Sequence, residues 1–189
     1  MRKLPILLPF LFVSMACGDY TPVEPDTAAS ADLLLASAKG GNGDVVKMVP
    51  FKLKGNWWYD SEGDESICDE IPGTAYIGFI DWEGTATHMG KVTGAGVNCY
   101  GPGEPMSRSL LAQGGVIIAA NGDVLNFFSE DPPFSVNLDY SFEIGPVAFV
   151  GGTGRFENAT GWYQLHGEDA IGAGPFTLTG EISSVGSSK

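Results

Sequence analysis

The chain has 189 residues, with 23 Asp and Glu against 10 Lys and Arg and a formal net charge of −13. That balance argues against a nucleic-acid partner, because such binding is driven by neutralising phosphates with Lys and Arg. It equally disfavours direct adsorption to an anionic lipid surface.

Arg2 and Lys3 precede an apolar stretch from Leu4 to Val13, and Ser14-Met15-Ala16 has the small-x-small form of a cleavage site. Residues 1–16 therefore read as an export signal peptide, and their removal moves the net charge from −13 to −15. The apolar run is shorter than the roughly 20 residues a membrane-spanning helix needs, and no other segment comes close. Cleavage after Ala16 exposes Cys17, an arrangement that resembles a bacterial lipoprotein signal, in which the cysteine is lipidated. Ser14 stands where such signals usually carry an aliphatic residue, which leaves ordinary secretion as the alternative. Three cysteines in an exported chain leave one unpaired, and giving Cys17 to lipid leaves Cys68 and Cys99 as a disulfide. The expected location is the periplasm, outer membrane or cell surface, with membrane contact only through the lipid at Cys17.

Residues 17–46 are rich in Pro, Asp, Ala, Ser and Gly, with Leu33, Leu34 and Leu35 as the one apolar cluster, and read as a flexible tether. Residues 47–185 match one ordinary domain, long enough to bury roughly two thirds of its unfolded surface. Alternation at Phe51, Leu53, Gly55, Trp57 and Tyr59 opens it with a strand. The acid run Asp60, Glu62, Asp64, Glu65, Asp69, Glu70 departs from calcium-loop spacing, with Glu65 at the turn-glycine position and Ile71 at that of the bidentate acid, and reads as a solvated loop. Strand-like runs follow at 74–82, 84–93, 115–120, 123–128 and 147–150, with Asn121-Gly122 as a hairpin turn between two of them. Within the second run, Gly84 to Val92 has one residue too many between its glycines for a phosphate loop and Val92 in place of the magnesium-binding hydroxyl. His88 and His166 lack partners at ligand spacing, so neither a metal nor a cofactor is expected.

From Phe134 to Ile144 the alternation is faultless: Phe134, Val136, Leu138, Tyr140, Phe142 and Ile144 on one face, polar residues on the other. This reads as one half-buried strand. Phe176, Leu178, Gly180 and Ile182 close the series. About eight short strands with tight turns and no sustained helical stripe predict an all-β sandwich or barrel.

The stretch Val150 to Leu165 packs Gly151, Gly152 and Gly154 before Phe156, then Ala159 and Gly161 at the start of another strand-like run. Glycines there permit positive φ and close backbone approach, as a barrel corner requires. This G-G-x-G-x-F pattern resembles the allene oxide cyclase barrel family, which includes the dirigent proteins. The resemblance implies a single antiparallel β-barrel of about eight strands with an interior able to hold one small ligand. It also implies, as an alternative function, a cofactor-free cyclase, isomerase or dirigent-like activity. Inward-facing polar groups mark a pocket best, because burying them without partners costs free energy. The candidates are Tyr59, Asp81, Asn126 and Tyr140 from strand alternation, with His88 as acid or base should there be catalysis. Three functions stay open: a binding protein holding a small apolar molecule among Trp57, Phe134, Leu138, Tyr140 and Phe142, an enzyme of the kind the resemblance implies, and an interaction lipoprotein whose barrel is filled.

Overall fold

A computed structural model describes residues 47–104 and 107–183; the signal peptide, Cys17 and the whole of the tether lie outside them. Nine strands follow in order: β1 (Met48–Asp60), β2 (Tyr76–Ala86), β3 (Gly90–Tyr100), β4 (Leu110–Ala119), β5 (Val124–Glu130), β6 (Phe134–Val136), β7 (Phe142–Gly152), β8 (Thr160–Gly167) and β9 (Gly174–Ser183). One short helix, α1 (Ser66–Asp69), lies between β1 and β2, and a 3₁₀ turn, Gly154–Phe156, lies between β7 and β8. Every strand pair is antiparallel, in the spatial order β5-β4-β3-β2-β1-β9-β8-β7-β6. Antiparallel pairing of β5 with β7 closes β1 to β5 and β7 to β9 into an eight-stranded barrel, with β6 added on β7. Closure leaves no long unpaired edge for another chain to extend.

Alternation sends Phe51, Leu53 and Trp57 of β1 inward, with Ile80 and Trp82 of β2, Leu125 and Phe127 of β5, and Phe176 and Leu178 of β9. The interior accommodates its rings by placing glycine opposite them. Trp82 pairs with Gly94 of β3, and a Cβ on Gly94 would run into the indole ring, so the ring lies flat against bare backbone. A second, smaller core sits on the outer wall. There α1 brings Cys68 onto Val97, Cys99 and Ala112, with Ile67, Ile71, Ile77, Phe79 and Phe128 packed around them. The Cys68–Cys99 disulfide, with Cα atoms 5.4 Å apart, pins α1 to β3.

The expected strand from Phe134 to Ile144 is instead a hairpin. Phe134 pairs with Ile144 and Val136 with Phe142, and residues 137–141 turn between them. Asn137 Nδ2 donates to Ser141 Oγ at 2.9 Å, Ser141 Oγ donates to Asp139 Oδ1 at 2.7 Å, and Tyr140 takes a φ of 66°. Short polar side chains that bond the local backbone are turn formers, and because the turn has five residues, an odd number, paired positions keep the same parity and the alternation survives on both arms. Leu138 is consequently fully exposed and Tyr140 is 46 % exposed, not interior. The expected run 84–93 likewise straddles the turn between β2 and β3, with His88 at its tip and a φ of 65°. The turn at Asn121-Gly122 is present with three loop residues: Gly122 N–H bonds the Ala119 carbonyl and Gly122 alone is left-handed, at φ 87°.

Candidate functional site

The barrel ends differ. At one end the β2–β3 and β4–β5 turns and the glycine corner converge, and Phe156, fully buried, closes it beside Met89 and Ala159. The corner is locked by local contacts. Gly151 and Gly154 have φ of 89° and 57°, Thr153 Oγ1 accepts from Val124 N–H at 3.0 Å, and Arg155 pairs with Asp123 at 3.3 Å. At the other end the four longest connections gather: 60–76, 100–110, 130–142 and 167–174. Loops of this kind, held at one end of a rigid scaffold, are where binding residues concentrate.

Between these connections a cleft enters the interior, with a volume of about 50 Å³. That is room for a few water molecules, well short of the few hundred Å³ a drug-sized ligand occupies. Aromatic rings form most of its wall, among them Trp57, Trp82, Phe127, Phe142 and Phe176. Trp57 stacks edge-to-face on both Tyr59 and Phe142, at centroid distances of 5.0 and 5.6 Å, a geometry that fixes ring orientations.

Besides Tyr59 at the mouth, four neutral polar side chains interrupt this wall: Asn98, Tyr100, Gln113 and Tyr163. Asn98 on β3 stands directly opposite Gln113 on β4, so both amides enter from neighbouring strands at one level. Asn98 Nδ2 donates to the Tyr100 hydroxyl at 3.0 Å, and the Tyr163 hydroxyl donates to Gln113 Oε1 at 3.4 Å. Two buried atoms in the same wall, Trp82 Nε1 and Asn98 Oδ1, have no hydrogen-bond partner. An orphaned buried polar atom forfeits the bonds it made to water, so each carries a cost that a hydrogen-bonding partner would relieve.

At the mouth, Tyr59 is half-exposed and its hydroxyl donates to the Ala170 carbonyl at 3.1 Å. Trp57 Nε1 donates to the Glu168 carbonyl at 3.3 Å, and Ala170 N–H to the Tyr140 carbonyl at 2.8 Å. The 167–174 connection is thereby tied to β1 on one side and to the 137–141 turn on the other.

Burial raises the Tyr163 phenol well above its ordinary value and raises that of Tyr100, with the nearby Tyr59 adding to the effect on Tyr100. Tyr59 is raised by burial and then by the charge of Asp169. Because the folded values lie above the unfolded value near 10.0, these phenols favour the fold fully below that pH and lose the contribution as pH rises through the folded values. Absorbance titration should accordingly show phenols that ionise only as the protein opens. The Tyr163→Phe variant should lose less stability than the parent between about pH 9 and 11. Equal losses in the two proteins would contradict this placement of Tyr163.

Of the side chains singled out by alternation, only Tyr59 lines the cleft. Asp81 follows Ile77 and Phe79 as expected, but that face is the outer wall, where burial and then Asp60 raise its carboxyl; Ile80 and Trp82 point inward instead. Asn126 also faces outward, between the inward Leu125 and Phe127. His88 lies in an exposed turn, with Nε2 3.2 Å from the Pro50 carbonyl oxygen, and Tyr140 lies in the exposed 137–141 turn. The sequence reading placed no strand over residues 94–100 and began the next run at residue 115, and so missed Asn98 and Tyr100 on β3 and Gln113 on β4. The signal available was the every-second series Gly94, Gly96, Asn98, Tyr100, with its glycines on one face.

Among the described residues, no three His, Cys, Asp or Glu side chains converge in the manner of a metal site. Comparison with protein-family models, with curated proteins and with solved structures finds no match to this chain.

Proposed function

We propose that the chain is an exported, lipid-anchored β-barrel that binds a small apolar molecule in the cleft at its open end. Export and anchoring rest on Arg2, Lys3, the apolar run from Leu4 to Val13 and Cys17. Binding rests on the orphaned Trp82 Nε1 and Asn98 Oδ1, buried in an aromatic wall where unpartnered polar atoms are costly. A molecule larger than a few waters enters by displacing the mouth, where Tyr59 and Trp57 each hold the 167–174 connection by one hydrogen bond.

The cleft volume of about 50 Å³ favours a second reading, an interaction lipoprotein whose barrel is filled by its own side chains and whose acidic surface meets a partner. A cofactor-free cyclase, isomerase or dirigent-like enzyme would use the same cleft. That reading draws on the corner Gly151, Gly152, Gly154 and Phe156 and on the resemblance it carries, and a barrel by itself names no activity.

Titration with methylcyclohexane, followed by the indole N–H signals in ¹H–¹⁵N NMR spectra, separates the first two readings. Binding in the cleft predicts a saturable shift of the Trp57 and Trp82 signals that is lost in Ala170→Trp, which fills the mouth from the 167–174 connection and leaves every strand residue of the wall unchanged. Absence of any saturable shift, with this probe and with its polar analogues, favours the filled barrel.

A further inference from the structure

We infer that the cleft selects an uncharged molecule bearing a hydroxyl group on a compact apolar body, with Asn98 and Trp82 as the residues that set this preference. The inference deepens the binding reading and rests on it.

The residues of the wall hold one unanswered donor, Trp82 Nε1, and one unanswered acceptor, Asn98 Oδ1, both closed off from the cleft as it stands, so that a ligand reaches them only as the rings beside them part. Both residues line the cleft. A hydroxyl carries an acceptor and a donor, so it can answer either atom; a hydrocarbon answers neither, and a carboxylate brings acceptors only. Asn98 is held for this task. Its Nδ2 is committed to the Tyr100 hydroxyl at 3.0 Å, which turns the amide oxygen away from that partner. Trp82 is held as well, because its ring lies against Gly94 and Gly96, where any side chain would force it to move.

Charge sets the other half of the preference. Among the described residues, no charged side chain lines the cleft; every polar group there is an amide, a phenol or an indole. An ionised ligand would leave water without a countercharge, which costs far more than a neutral hydroxyl does. Outside the cleft, Arg108 is stacked over the Tyr76 ring at 3.5 Å, and its Nε donates to the Gly103 carbonyl at 2.9 Å. The exposed rim carries Asp139, Glu168 and Asp169, which repel anions on approach. A carboxylate is therefore disfavoured both in transit and on arrival.

The test compares three probes of one size, cyclohexanol, methylcyclohexane and cyclohexanecarboxylate, by NMR titration of the purified full-length protein. Cyclohexanol should bind about tenfold more tightly than methylcyclohexane, as one well-made hydrogen bond provides, and the carboxylate should give no saturable shift at neutral pH. In Asn98→Leu the preference for the alcohol should fall to about twofold or less while methylcyclohexane binding persists, which also shows that the variant is folded. Trp82→Phe, which keeps most of the ring, should reduce the same preference and so guards against a folding defect in the first variant. Equal binding of alcohol and hydrocarbon overturns the inference and leaves the binding reading standing, the orphaned atoms then holding water only. Preferred binding of the carboxylate overturns the inference by naming a charged ligand. Failure of all three probes removes the binding reading and the inference with it.

Discussion

Replacing Gly152 by Val lowers stability by about 3 kcal/mol or more, as a forced backbone overlap in a packed structure does. A Cβ at Gly152 would run into the Val124 carbonyl oxygen and approach the Leu125 Cα to 3.0 Å. Those atoms belong to β5, and Leu125 pairs with Gly152 where β5 and β7 close the barrel. No rotamer relieves the overlap, because the obstacle is backbone, so the strands must part at the seam. Gly152 needs space and not positive φ, which distinguishes it from Gly151 at 89° and Gly154 at 57°. Chemical denaturation measures the loss. Gly122→Asn is the matched control: its φ of 87° is one that Asn tolerates, and nothing lies within 4 Å of the added Cβ. A Gly152→Val protein as stable as this control would mean that the corner does not press on β5.

Reducing the Cys68–Cys99 disulfide is the second large effect. The bond spans a sequence separation of 31, for which chain entropy gives about 3 to 4 kcal/mol. Against a total of roughly 5 to 15 kcal/mol this is a major share, and it should lower Tm by roughly 10 °C. The loss should be regional. The bridge anchors α1 over the outer cluster of Val97, Ala112, Ile77 and Phe79, so backbone amides near Ile67 and Ile71 should exchange faster while those of β7 to β9 keep their order of protection. Calorimetry of the reduced protein and of the Cys68→Ala, Cys99→Ala double variant reads the first part, and hydrogen exchange the second. An unchanged Tm in the double variant would contradict it.

How far the fold could be read from the chain depended on how many faces each strand buries. β1 and β9 bury one face, and their alternation at Phe51, Leu53, Trp57 and at Phe176, Leu178, Ile182 marked the interior correctly. β2 is apolar on both faces, because Ile77 and Phe79 lie under α1 while Ile80 and Trp82 fill the barrel. Alternation cannot tell these faces apart, and Asp81 was carried to the wrong side with its neighbours. In the hairpin from Phe134 to Ile144 the periodicity survives a reversal of direction, so only Asn137, Asp139 and Ser141 could have betrayed the turn. β3 failed for the opposite reason: its inward face carries Gly94 and Gly96, which add no apolar signal because Trp82 supplies the bulk from the next strand. The pairing of Cys68 with Cys99 followed from counting cysteines and needed no geometry.

The binding claim is tested most directly by isolating the protein under native conditions from cells that make it and identifying what it carries. After denaturation, mass spectrometry of an organic extract should show an uncharged, hydroxyl-bearing molecule at about one per barrel, absent from the Ala170→Trp protein prepared in parallel. Recovery of the same extract from both proteins, or of no molecule near that ratio from the parent, would contradict the account.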